Sequence, residues 1–113
     1  RIAGGSRFDT AARLYTLVSD TALDASGLHY GAGSGSTAAY LANGLTGFPD
    51  ALSVGPLAGR NRDVLLTVGH GALPSPSAAF LNAHRASLET VTALGRGATV
   101  SDSALTAAAN TIG

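Results

Sequence analysis

Arginine is the residue type in this chain best suited to gripping a ligand, and its placement is uneven. Arg7 opens a helical stretch, and Arg96 stands between two glycines in Gly95-Arg96-Gly97. A guanidinium is planar, always charged, and can hold two oxygens of a phosphate or carboxylate at once. Arg96 also lies beside the helix that Ser101 is placed to cap, where free backbone N–H groups favour an anion. Arg1 is a weaker third cation. Arg7, Arg96, Arg1 and Ser101 are therefore the candidate contacts for an anionic ligand. Plainer readings stand beside these. Arg7 also suits a salt bridge or a carbonyl contact that fixes the lead-in to its helix. The turn at residues 95–97 also suits a tight turn with no ligand. Arg60 and Arg62 follow Gly59, where positive charge favours the carbonyls of a helix end, and Arg85 reads the same way.

Catalytic chemistry finds little support. Gly95-Arg96-Gly97 follows a predicted strand and precedes a helix, the context of a dinucleotide fingerprint. Val100 stands where the third glycine belongs, and no downstream chain supplies a ribose-binding acid about 20 residues on. The run Gly31–Gly35 precedes its strand, the wrong side for a phosphate cradle. Asp50 has no partner at an interpretable spacing and is explained by helix-start chemistry. His29, His70 and His84 lack the i, i+4 pairing of a helical metal site, although His70 sits in a turn that could meet a ligand. No serine lies in G-x-S-x-G, and the absence of Cys removes thiol catalysis, disulfides and cysteine zinc sites. The expectation is a protein that is not an enzyme, with no catalytic residue, no metal site and no cofactor.

These residues need a scaffold, and the periodicity supplies one. Phe8, Ala11, Ala12, Leu14, Tyr15 and Val18 recur at helical spacing over residues 7–19. Residues 20–36 are rich in Gly, Ser, Ala and Asp and read as a flexible loop or insertion. Thr37–Ala42 reads as a buried strand, Asp63–Val68 as a second with Val64-Leu65-Leu66 apolar throughout as in buried parallel strands, and Glu89–Leu94 as a third. Helices are expected from Pro49 to about Ala58, ending at Gly59, then from Leu73-Pro74-Ser75 through Asn82, then after Ser101. Ala51, Gly55 and Ala58 would let a neighbouring element come close. Strand followed by helix three times implies right-handed crossovers and an open parallel sheet of Rossmann-like type, with helices in layers on both faces. Ligands of such sheets sit outside the carboxyl ends of the strands, here the loops 43–49, 68–74 and 95–101.

Bulk numbers agree with a single small α/β domain over residues 1–113. The chain is 45% hydrophobic, enough for a core, but that core must rest on Ala, Leu and Val because Trp and Met are absent. Seven Lys plus Arg balance seven Asp plus Glu, so bulk charge does not argue for nucleic acid. No window is long and apolar enough to insert in a membrane. The chain begins at Arg1 without Met or a signal peptide and reads as a segment of a longer protein.

Several stretches resemble a known family. Arg1-Ile2-Ala3-Gly4 with Arg7-Phe8-Asp9-Thr10-Ala11 is similar to the opening of the type 2 cell-wall-binding repeat. Asn43-Gly44, Phe48-Pro49-Asp50-Ala51-Leu52 and Gly55-Pro56-Leu57-Ala58 resemble its central stretch. Val64-Leu65-Leu66-Thr67 with Leu73-Pro74, and then Leu94-Gly95, Gly97 and Val100-Ser101-Asp102, resemble its later motifs in the same order. Asp63 stands where the family usually has Pro, residues 21–37 exceed the usual connection, and Arg96 interrupts paired glycines.

The resemblance implies a Rossmann-like module, repeated in tandem, its sister repeats forming a threefold, trimer-like arrangement. It implies a secreted protein of a Gram-positive bacterium, held non-covalently at the cell surface on an anionic secondary wall polymer. A structural repeat that assembles proteins without polymer, and a small-ligand domain of nucleotide type, remain as alternatives.

Overall fold

The computed structural model describes residues 1–19, 37–46 and 48–113. The flexible loop expected over residues 20–36 lies outside the described residues. Among them the order is α1 (Arg7–Ser19), β1 (Ala38–Asn43), α2 (Phe48–Asn61), β2 (Val64–Val68), α3 (Ser75–Ala83), β3 (Thr90–Ala93) and α4 (Asp102–Ile112). The sheet order is β2-β1-β3, and both pairings are parallel, with Leu41 opposite Leu66 on one side and Ala93 on the other. The expected α/β architecture with adjacent parallel strands is what the chain adopts.

Strand alternation sorts the side chains into two unequal faces. Ala39 and Leu41 share a face with Val64, Leu66 and Val68, and all are buried there. Against that face pack Ala12 of α1, Phe80 and Leu81 of α3, and Ala104 and Ala108 of α4. Alanines at the helix contacts let α1 and α4 approach closely, as a core poor in aromatic residues requires. Ser77 is fully buried in this layer, and its hydroxyl donates to the Thr67 carbonyl at 2.9 Å. The opposite face is covered by α2, which buries Val54 and Ala58 against β1 and β2.

The end of α2 differs from expectation. The helix does not stop at Gly59 but continues to Asn61 with Pro56 inside it. Gly59 is not left-handed; the reversal falls on Arg62, with φ 60°. Arg62 N donates to Gly59 O at 3.3 Å and Asp63 N donates to Ala58 O at 2.8 Å. This is the paired closure of a Schellman end, with Arg62 where glycine is usual. It also explains why Asp63 suits this chain, since a Pro there would lack the N–H that Ala58 O receives. The close approach expected of Gly55 is not seen either. Nothing lies within 4 Å of where its Cβ would stand, whereas Ala58 is buried.

His84 closes α3, its backbone N–H donating to Phe80 O, and its ring lies 4.3 Å from the Phe80 ring. Burial holds its pKa below the ordinary histidine value. The unfolded chain therefore takes up this proton more readily than the folded one, so stability is full above about pH 6.5 and falls as pH drops through the lowered value. In His84→Gln the loss of stability between about pH 7 and pH 5 should be smaller, as read by urea midpoints at each pH. An identical pH slope in the variant would show that this ring contributes nothing. At the α2 end, Arg62→Gly should raise stability by about 1 kcal/mol by removing a left-handed non-glycine residue. Asp63→Pro should lower it, and a stabilised Asp63→Pro would refute the closure described here.

Candidate functional site

The carboxyl end of the sheet carries the loops that lead into α2, α3 and α4. Asn43, the last residue of β1, binds them together. Its side chain is 1% exposed. The Oδ1 atom accepts from Leu45 N at 2.8 Å and Thr46 N at 2.9 Å, which turns the chain toward α2. The Nδ2 atom donates to Thr99 O at 2.8 Å in the loop before α4. Gly44 follows because nothing larger fits. A Cβ there would lie 2.9 Å from Cβ of Thr67. Its N–H donates to Val68 O at 3.0 Å.

A second set of bonds joins the loops after β2 and β3. Ser101 N donates to His70 O at 2.9 Å, and the His70 ring nitrogen Nε2 lies 3.2 Å from Gly97 O. Ser103 Oγ donates to Gly71 O at 3.4 Å. Gly95, at φ 87°, allows the turn that presents Arg96. The three loops therefore form one tied rim.

The candidate contacts fall on this rim unequally. Arg7 donates from a guanidinium nitrogen to Gly44 O, so it braces α1 against the first loop. Arg96 is exposed, and its side chain makes no hydrogen bond or ion pair among the described residues. Arg1 is likewise exposed, in the lead-in to α1. Ser101 is the cap of α4, its Oγ accepting from Ala104 N at 3.2 Å and paired with Ser103 Oγ at 2.9 Å. Its hydroxyl is thus already engaged. Aspartates occupy the first turns of three helices: Asp9 in α1, Asp50 in α2 and Asp102 in α4. The Gly5 N–H donated to Asp9 holds that carboxyl below its usual range, with Arg13 adding to the effect at 3.0 Å. Those helix ends meet their own carboxylates, which leaves arginine as the stronger attraction for an outside anion.

Sequence reasoning placed Asn43 in a turn and missed it as the rim's central tie. The available signal was an Asn at a strand's carboxyl end, followed by Gly and then a helix start. Among the described residues no group of His, Asp and Glu could hold a metal ion, and no helix is long and apolar enough to cross a membrane.

Residues 1–105 match the family model for cell wall binding domain 2 (CWB2). The chain belongs to this family. It matches no curated protein and no solved structure. As a CWB2 domain it is a cell-wall-binding module, associated with the cell wall or surface. Several of the stretches that carry the resemblance meet in space. Asn43-Gly44, the helix start at Phe48–Leu52, Leu94-Gly95 and Val100-Ser101 all lie at the carboxyl end of the sheet. Arg7 reaches the same end through its bond to Gly44 O.

Removing the Asn43 amide should be costly. Asn43→Ala leaves Thr99 O and two backbone N–H groups without their partner, a loss of about 2–4 kcal/mol. Asn43→Asp keeps the acceptor, loses the donor and sets an oxygen against Thr99 O. Urea unfolding of both variants measures this, and wild-type stability in either would show that the rim is held by other contacts.

Proposed function

We propose that this CWB2 domain is a non-catalytic anchor that holds an exported protein non-covalently on an anionic wall polymer, in company with sister repeats. Family membership supports wall binding. The observation that carries the anionic ligand is Arg96, an exposed guanidinium without a partner among the described residues, on a rim braced by Asn43 and His70. Arg1 adds a second cation without a partner among the described residues, and Arg7 contributes a charge that also braces the fold. Ser101 contributes by fixing the start of α4 beside Arg96, its hydroxyl being used in the cap. No step of bond making or breaking is assigned to any residue.

The assembly reading has its own support. Leu45, Leu52 and Leu57 are 54%, 70% and 49% exposed, on α2 and the turn before it. Apolar residues so placed suit burial against a sister repeat. The two surfaces adjoin, since Leu45 lies in the rim loop after β1 and Leu57 lines a pocket with Leu94 and Gly95.

Sedimentation with protein-stripped walls, polymers intact or removed, tests the anchor. Retention should require the polymer and weaken steeply with salt, because exposed charges are screened within about 8 Å at physiological ionic strength. Arg96→Ala should cost about 0.2–1 kcal/mol if its site is open and about 1–3 kcal/mol if partly shielded. Arg7→Ala should weaken retention and also lower stability, a pair of effects that separates it from Arg96. Salt-independent retention, or full retention by the Arg7→Ala, Arg96→Ala double variant, would overturn the anionic reading and favour assembly alone.

A further inference from the structure

We infer that the cavity between α2 and the end of β3 is a second subsite of the polymer-binding rim, and that it takes a primary ammonium group on a short aliphatic stem. The inference deepens the anionic reading above and rests on it, adding that the polymer carries amino groups beside its anionic ones. The cavity is lined by Asp50, Ser53, Val54 and Leu57 of α2 with Leu94 and Gly95, and its volume is about 290 Å³. That is the small end of ligand pockets, with room for a few carbon atoms and one head group. It exists because α2 packs mainly on β1 and β2 and leaves that side of β3 uncovered, with Leu94 half-buried at its end.

The chemistry of the lining selects a donor. As a carboxylate Asp50 only accepts, and among the described residues it makes no hydrogen bond or ion pair. The Ser53 hydroxyl donates to Pro49 O at 3.1 Å, so its remaining capacity is to accept. Both polar side chains of the lining thus offer acceptors, and one is negative. An ammonium has three donors and no acceptor, the complement of that pair. Val54, Leu57 and Leu94 supply apolar surface for the stem. Gly95 brings the loop backbone up to the carboxylate, since a Cβ there would lie 2.8 Å from Asp50 Oδ2. Asp50 also suits the positive start of α2, but that role needs no cavity beside it. Arg96 follows Gly95, about 3.8 Å on by Cα spacing, and forms no ion pair with Asp50. Two opposite charges therefore stand at neighbouring points of the rim without cancelling each other. They match a ligand whose phosphate or carboxylate is closely followed by an amine, held at Arg96 and Asp50 respectively.

Isothermal titration of the full chain with purified wall polymer, freed of peptide and either intact or N-acetylated, tests this at constant ionic strength. Acetylation turns each ammonium into a neutral amide and makes the polymer more negative overall. Attraction by arginine alone would therefore tighten binding. The ammonium subsite predicts the reverse, a loss of about three- to tenfold in wild type. Asp50→Asn should lose this response to acetylation. Ser53→Ala, a change that a helix favours, should keep the fold by circular dichroism and weaken binding of the intact polymer by about twofold or more. Isobutylammonium chloride should shift the amide resonances of Ser53, Leu57 and Gly95 in wild type, and isobutanol should not. Strong binding that acetylation leaves unchanged or tightens, a response that survives in Asp50→Asn, or an amine that shifts none of these resonances overturns the subsite and leaves the anchor intact. No binding of wild type to either polymer preparation overturns the anchor and this inference together.

Discussion

A buried amide organises the carboxyl end of the sheet. Asn43 is almost wholly enclosed, and its side chain satisfies two backbone donors of one loop and a backbone acceptor of another. Burying a polar side chain is unfavourable unless every group finds a partner, so the cost holds the geometry to one solution. The amide is suited to this because it has a donor and acceptors on one rigid plane. A carboxylate would lack the donor, and an aliphatic residue would leave three backbone groups unmet. Gly44 then follows from the amide: with Asn43 inward, the next residue passes so close to Thr67 that no Cβ fits. Arg7 takes the carbonyl that this tight passage exposes. The rim is thus a consequence of one strand end, with α1, α2 and α4 placed around it.

The two faces of the sheet are built to different standards. On one, leucine, valine and Phe80 interlock with the alanines of α1 and α4. On the other, a single helix presents Val54 and Ala58 inward and leaves Leu52 and Leu57 to solvent. Each exposed leucine gives up a burial worth about 1.5–3 kcal/mol. A domain with so few large side chains has little to spare. The exposed apolar surface runs along α2, includes Leu45 in the loop after β1, and at Leu57 meets Leu94 and Gly95, so it adjoins the loop that carries Arg96.

Much of the fold was legible in the residues because its signals were local. Apolar runs bounded by glycine gave the strands, and helical spacing gave α1 almost to the residue. Ser101 was read as a cap and acts as one. The misreadings came where tertiary contacts outweigh composition. Gly59 looked like a helix stop, but the reversal falls on Arg62, because the Asp63 N–H can reach Ala58 O. Gly55 looked like packing space, but its surroundings are empty. It precedes Pro56 inside a helix, and a residue before proline resists helical geometry less when it lacks a side chain. In the rim, the arginines announced themselves by charge. Asn43 did not, and His70 stood out only as a turn residue that could meet a ligand, since their hydrogen bonds reach backbone 56 and 27 residues away respectively, which no periodicity records.

Weak contacts can still make a firm anchor if they are repeated. An exposed arginine pair is worth about 1 kcal/mol or less, so a single rim of the proposed kind would hold a polymer only loosely. At about 1.4 kcal/mol per tenfold, two or three such contacts change occupancy by about a hundredfold at most. A polymer chain, however, presents the same charge at regular intervals. On the proposed reading, a neighbouring repeat would meet the next charges at high effective concentration once one rim had bound, and the gain would multiply without any new kind of contact. This arrangement favours a rim that is rigid over one that is strongly charged. A flexible Arg96 would lose ordering entropy each time it bound, and the loss would recur in every repeat. The ties from Asn43 and His70 fix the backbone of the loop that carries Arg96, so on the proposed reading only the arginine side chain itself would have to be ordered on binding.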